Sequence, residues 1–225
     1  MLKLISLLLV SATISIAKPN LYIIQSVRTV GIVELGTELV VENKTYNVNL
    51  PIKISTTENS EFSGRLQCES GIYIDKNSVV SFISTDTFED YKATKPVIFL
   101  FMELVSGNVA YCSSDKSDGV YKLALRVGKF TIFAGDETTF TIINNKLYVT
   151  RGNVKIEDNI VENGQCAELV YPIKVKTATD SIEALKLTID ACSAKTTDSA
   201  NPHSTTDVQF FPPQPINPDI VSPSS

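Results

Sequence analysis

The run Phe130-Thr-Ile-Phe-Ala-Gly-Asp-Glu-Thr-Thr-Phe-Thr-Ile-Ile-Asn-Asn-Lys-Leu-Tyr-Val-Thr-Arg-Gly-Asn-Val-Lys-Ile-Glu-Asp-Asn-Ile-Val-Glu-Asn-Gly-Gln165 decides how this chain folds. Segments rich in Thr, Ile, Val, Phe and Tyr alternate with turn-forming clusters at Ala134-Gly135-Asp136, Asn144-Asn145, Arg151-Gly152-Asn153, Glu157-Asp158-Asn159 and Glu162-Asn163-Gly164. The interval is roughly 8 to 10 residues, that of short antiparallel strands joined by tight turns. Inside the segments the side chains alternate, Phe140 and Ile142 against Thr139 and Thr141, Val154 and Ile156 against Asn153 and Lys155, as a half-buried sheet requires. The fold class is therefore all-β, with antiparallel strands in two stacked sheets or a short coil of strands around one core.

Toward the N-terminus the pattern continues. Leu21 to Val27 and Thr29 to Gly36 read as two β-segments with a break near Arg28, followed by strands at Leu39 to Glu42, Tyr46 to Leu50 and Ile52 to Ser55. Asn43-Lys44-Thr45 and Asp75-Lys76-Asn77-Ser78 read as turns, Ser84 to Pro96 as a long variable loop, and Val97 to Cys112 as further strand. Val105-Ser-Gly-Asn-Val-Ala-Tyr111 recurs as Thr150-Arg-Gly-Asn-Val-Lys-Ile156, and Ser81-Phe82-Ile83 recurs within Thr139 to Ile142, which marks an internal repeat with halves at about 50–115 and 120–170 built on Gly-Asn hairpins.

Beyond Thr177 the period changes. Ile182, Leu185, Ile189 and Cys192 fall on one helical face, and Asp180 followed by Glu183 has capping-box spacing, so an amphipathic helix over 180–194 is expected to dock on the β-domain. From Lys195 to Ser225 the chain is rich in Thr, Ser, Asn and Pro and is expected to be a disordered tail, with Pro212-Pro213-Gln214-Pro215 as a spacer.

Several of these residues carry a resemblance. Glu137 to Phe140, Val149 to Ile156 and Gly164-Gln165, with Gly64 to Ile83 and Val97 to Cys112 before them, resemble in order the strands of the FecR domain, the periplasmic sensor module of bacterial ferric-citrate-type signalling. The resemblance covers about residues 50–170. It implies a non-catalytic module that senses a partner outside the cytoplasm. Such sensors signal through a membrane span to a cytoplasmic anti-sigma segment, and neither is expected here, so the chain is expected to be an exported binding or scaffold module of the cell envelope recognising a protein or polysaccharide. A signalling component working with a separate membrane anti-sigma or sensor protein is the alternative, and an envelope hydrolase or a surface-layer component are further ones.

The compartment follows from the start of the chain. Lys3 precedes the apolar run Leu4 to Ile16, and Ser15-Ile16-Ala17 has the small residues a signal peptidase reads. The run is shorter than the roughly 20 residues of a spanning helix. Cleavage after Ala17 and a periplasmic or secreted mature chain are expected, with residues 18–175 as the β-domain. The formal net charge of −5 comes with scattered cations, which excludes a phosphate-tracking nucleic-acid surface.

Candidate functional residues are few. Cys68, Cys112, Cys166 and Cys192 are an even set in an exported chain and are expected to form two disulfides, Cys68 with Cys112 and Cys166 with Cys192. No Cys-X-X-Cys pair exists and the single histidine, His203, lies in the tail, so neither a metal site nor a His-activated nucleophile is expected. No cofactor is expected. Asp136-Glu137 and Glu157-Asp158 sit at turns, where acidic residues are ordinarily solvated. Phe99, Phe101, Phe130 and Phe133 are expected in the core. Loops on a rigid scaffold are where recognition concentrates, so Thr85, Asp86, Phe88, Glu89 and Tyr91 of the long loop are the candidate binding residues.

Overall fold

Two sheets of nine strands face each other across one apolar core. The structure, a computed structural model, describes residues 21–67, 69–88, 97–113, 120–135, 137–179 and 182–196. Sheet I contains β1 (Leu21–Val30), β4 (Thr45–Asn49), β6 (Glu61–Leu66), β7 (Gly71–Ile74), β10 (Val109–Cys112), β13 (Thr139–Ile143), β14 (Lys146–Arg151), β17 (Gln165–Glu168) and β18 (Lys174–Thr177). Sheet II contains β2 (Val33–Leu35), β3 (Glu38–Leu39), β5 (Ile52–Thr56), β8 (Val79–Phe88), β9 (Val97–Ser106), β11 (Val120–Val127), β12 (Phe130–Ala134), β15 (Asn153–Ile156) and β16 (Asn159–Glu162). Among the described residues one helix, α1 (Ile182–Thr196), follows them.

The chain passes back and forth between the sheets while advancing along both. Sheet I runs β4-β1-β6-β7-β10-β13-β14-β17-β18 and sheet II runs β3-β2-β5-β8-β9-β11-β12-β15-β16. Pairing is antiparallel except between β9 and β11, which run parallel because β10 carries the chain across sheet I between them. Alternation fixes the faces. Phe140, Ile142, Val154 and Ile156 enter the core, joined by Phe62, Phe82, Ile24 and Leu125, while Thr141 points outward to α1.

Local chemistry sets the corners. Asn144 and Asn145 both take positive φ (49° and 59°) between β13 and β14, the conformation of a two-residue hairpin turn. The two Gly-Asn sites do something different from the expected hairpins. Gly107 leads from sheet II to sheet I and Gly152 from sheet I to sheet II. Both have positive φ (85° and 68°). A β-carbon at Gly107 would collide with the Ser78 side chain, and one at Gly152 would lie 2.8 Å from the Glu137 carbonyl oxygen. The shared signature therefore marks a tight crossing between sheets. The break expected near Arg28 is a bulge inside β1, where the register against β6 shifts between Ser26 and Arg28, so pairing resumes instead of ending.

Helix α1 lies on the outside of sheet I, against β6, β7, β10, β13 and β14. Its contact face differs from the expected one. Ala184, Leu187, Thr188, Ala191 and Ala194 are buried, whereas Ile182, Leu185 and Ile189 are 88%, 50% and 56% exposed. Close approach selects the small residues: a β-carbon at Gly71 would run into the Ala191 carbonyl oxygen, so the helix backbone rests almost on β7. Thr141 donates to the Ala184 carbonyl oxygen (3.1 Å), and the Thr141 and Thr188 hydroxyls bond at 2.8 Å. Burial there pushes the Tyr73 phenol well above its ordinary pKa, and the Glu61 carboxylate adds to the effect.

The cysteines pair otherwise than expected. Cys112 at the end of β10 is bonded to Cys192 of α1, with Cα atoms 5.2 Å apart. Cys166 is a buried free thiol. It sits on β17, three strands from β10, or about 14 Å at ordinary strand spacing, beyond the roughly 7 Å that a disulfide spans. The helix crosses sheet I over β10, not over β17, and that placement decides the partner. Cys68 and the capping residue Asp180 lie outside the described residues.

Candidate functional site

Sequence reasoning placed recognition on a loop from Ser84 to Pro96, but the first part of that stretch is strand. β8 continues to Phe88 and β9 begins at Val97, with Thr85 opposite Leu100, Asp86 opposite Phe99, Thr87 opposite Ile98 and Phe88 opposite Val97. A register shift between Phe82 and Ser84 resets the alternation, because one extra residue turns every later side chain to the other face. Thr85 and Thr87 thus share the inner side with Leu100 and Ile98, and Asp86 faces out beside Phe99. Glu89 and Tyr91 lie outside the described residues.

Among the described residues this end of the sandwich is open, because the sheets differ in length. β8 and β9 have ten residues each, while β7 and β10 have four. At about 3.3 Å per residue, sheet II overhangs sheet I. Beneath the overhang is a slot of about 150 Å³. Leu21, Ile98 and Leu100 form apolar walls, and Thr85, Thr87, Gln67, Tyr22 and Tyr111 bring polar atoms to it. Two of those polar groups are held by the protein: the Tyr111 hydroxyl bonds Ser70 Oγ at 3.0 Å, and Gln67 Oε1 accepts from the Ile23 N–H at 3.2 Å. Lys122 borders the slot, but its ammonium lies over the Phe99 ring, 5.8 Å from the centroid. Its charge therefore belongs to the outside of sheet II.

Of the sequence candidates whose side chains are described, Thr85 lines this slot and Asp86 is on the outer side of the same strand. Tyr22, Gln67, Leu100 and Tyr111 were missed, since nothing local to those residues reveals the overhang. A legible signal for Thr87 did exist: Thr85 and Thr87 two apart, with Asp86 between, carry a strand period. Among the described residues no group of three or more His, Cys, Asp or Glu side chains could hold a metal ion.

On the outside of sheet II, Phe101, Ala124, Phe133 and Lys155 stand in one cross-strand row. Phe130 is core, as expected, but Phe99 and Phe101 are only partly buried and Phe133 is 44% exposed. The run Val97 to Met102 is apolar at odd and even positions alike, so within it the pattern does not distinguish the faces. Arg126 and Glu103 pair beside this row at 2.9 Å. The hydrogen bond from Arg126 holds the Glu103 carboxyl below its ordinary pKa.

No family model matches the chain, and no curated protein matches it. Two crystal structures of a Parabacteroides distasonis ATCC 8503 protein described as an anti-sigma factor, at 1.65 and 2.50 Å resolution, are similar to it with TM-scores of 0.42 and 0.41 and 10% sequence identity. The match covers 57% of this chain and 61% of theirs.

Proposed function

We propose that this chain is an exported, non-catalytic binding module of the FecR-like kind in a bacterial envelope, and that it recognises a protein by taking one apolar side chain into the slot beneath β8 and β9. The size of the slot carries this reading. Sites for small molecules occupy roughly 300–1,000 Å³, whereas about 150 Å³ holds one ring or one branched aliphatic group. A polysaccharide needs a longer, more polar groove than these walls supply. The Cys112–Cys192 bond supports an oxidising compartment, in keeping with the leader expected from the sequence of Met1 to Ala17, and none of the described helices is long and apolar enough to cross a membrane.

A photoreactive residue at exposed Asp86, activated in living cells, tests the proposal. It should yield a protein adduct that disappears when Thr85→Trp fills the slot. A glycan adduct, an adduct unchanged by Thr85→Trp, or turnover in a screen of envelope glycans and peptides would overturn it.

A further inference from the structure

Among the described residues sheet I ends at β4 and β18, and the two edges are built differently. β18 carries Lys174 and Lys176, the charged side chains with which proteins keep an edge from pairing. β4 is Thr-Tyr-Asn-Val-Asn, with Tyr46 and Val48 buried and Thr45, Asn47 and Asn49 exposed. It has neither charge nor proline. Its backbone orientation follows from β1. The Ser26 N–H donates to the Lys44 carbonyl oxygen at 2.8 Å, and antiparallel bonds recur at every second residue. The pairs Ile24 with Tyr46 and Tyr22 with Val48 therefore carry the bonds, and the N–H and C=O groups of Thr45, Asn47 and Asn49 point away from the sheet.

Beside this edge the sandwich is unsealed. A cleft of about 370 Å³ separates β4 from β2 and β3, lined among others by Leu35, Glu38, Tyr46, Val48 and Ile52. Leu39 and Val41 stand 63% and 56% exposed nearby in the chain. Glu34, Glu38 and Glu42 are all exposed along the same segment. Lys44 holds its ammonium 4.7 Å from the Tyr46 ring, and exposed Lys53 stands on β5 beside Gly36.

We infer that the free edge of β4 accepts a strand from another protein, an extended segment that alternates apolar and basic residues. Its amides would pair with the outward groups of Thr45, Asn47 and Asn49, its apolar side chains would continue the Tyr46 and Val48 face into the cleft, and its positive charge would be drawn by the acidic segment that carries Glu34, Glu38 and Glu42. A second copy of this chain fits worse, because it would bring six carboxylates together. This edge is separate from the slot, so either proposal can fail without the other.

The test uses the exported full chain and a capped seven-residue peptide of alternating valine and lysine, with its valine–glutamate counterpart as control. The lysine peptide should bind at least ten-fold tighter and slow amide exchange at Thr45, Asn47 and Asn49. Asn47→Pro removes an outward N–H and no ladder bond, and proline is tolerated on edges; it should weaken binding at least ten-fold with the Tm nearly unchanged. Should that variant not fold, N-methylation of alternate peptide amides replaces it and should abolish binding. Equal affinity for Asn47→Pro or for the methylated peptide, protection elsewhere, or a concentration-dependent dimer lost in Asn47→Pro would overturn the inference.

Discussion

Outside sheet I, the cross-strand row Ser63, Tyr73, Ala110, Thr141 and Tyr148 lies beneath α1; outside sheet II, the row Ser84, Phe101, Ala124, Phe133 and Lys155 meets no other element among the described residues. The bare row is the more apolar of the two. Hydrophobicity alone therefore does not explain where the helix docks. The covered row is low at its centre, with Ala110 and Thr141 beside Gly71, and it offers hydroxyls to the helix carbonyls. The bare row covers itself: Ala124 is 3% exposed because Phe101 and Phe133 flank it on the neighbouring strands. A flat, partly polar surface with a cysteine at its margin holds a helix, and a ridged aromatic surface does without one.

The largest expected effect comes from cutting the staple. Cys112 and Cys192 are 80 residues apart, and by the chain-entropy account closing so long a loop stabilises by about 4 kcal/mol. Cys112→Ser with Cys192→Ser should lower stability by about that much in urea titration, and an unchanged midpoint would show that packing alone holds the helix. Next is Gly71→Ala, where the added methyl must push α1 off β7; a cost of about 3 kcal/mol is expected, with amide exchange accelerated along the helix and hardly changed in sheet II. Thr188→Val keeps the shape and removes a buried hydroxyl pair, for about 1 kcal/mol; a loss of three times that would mean the pair organises the whole interface.

Across the molecule the effects should be smaller. Phe133→Ser should cost under about 1 kcal/mol, and a core-sized loss would show that the ring supports more than its own face. Glu103→Gln is the smallest, since exposed ion pairs stabilise little. Its sign is fixed. The folded-state pKa of Glu103 is depressed, so the pair contributes above the ordinary carboxylate range and the contribution is lost as pH falls through the lowered value. The Tm difference between wild type and Glu103→Gln should be about 1 °C or less at neutral pH and vanish in acid.

Much of the sandwich was legible because its corners are chemical: Asn144-Asn145, Gly152 and Gly164 take the positive φ that their turns need, and Phe140 with Ile142 reads as an inward face at a glance. Features that depend on distant neighbours were not legible. Large residues dominate a helical pattern, so Ile182, Leu185 and Ile189 looked like the contact, yet a helix seated on Gly71 uses Ala184 and Ala191. Cysteine partners were assigned by position along the chain, whereas the crossing point of α1 joins Cys112 to Cys192. The slot was visible only as Thr85, because an overhang is a property of two sheets and not of any one strand.

The seating of α1 also orders events in time. Nearly every strand pairs with one close to it in the chain, so most of the sandwich can assemble in sequence as it is synthesised, at modest contact order for an all-β protein. The helix is the exception. Ser63 donates to the Asp190 carbonyl oxygen and Arg65 to that of Lys195, over separations of 127 and 130 residues. Its platform is complete at Arg151, some thirty residues before the helix begins, so Cys112 must wait as a thiol until the last of the described elements arrives. Closure of that bond is a late, discrete signal of maturity, and a pulse of thiol reagent during refolding should separate chains that have finished the sandwich from chains that have finished folding.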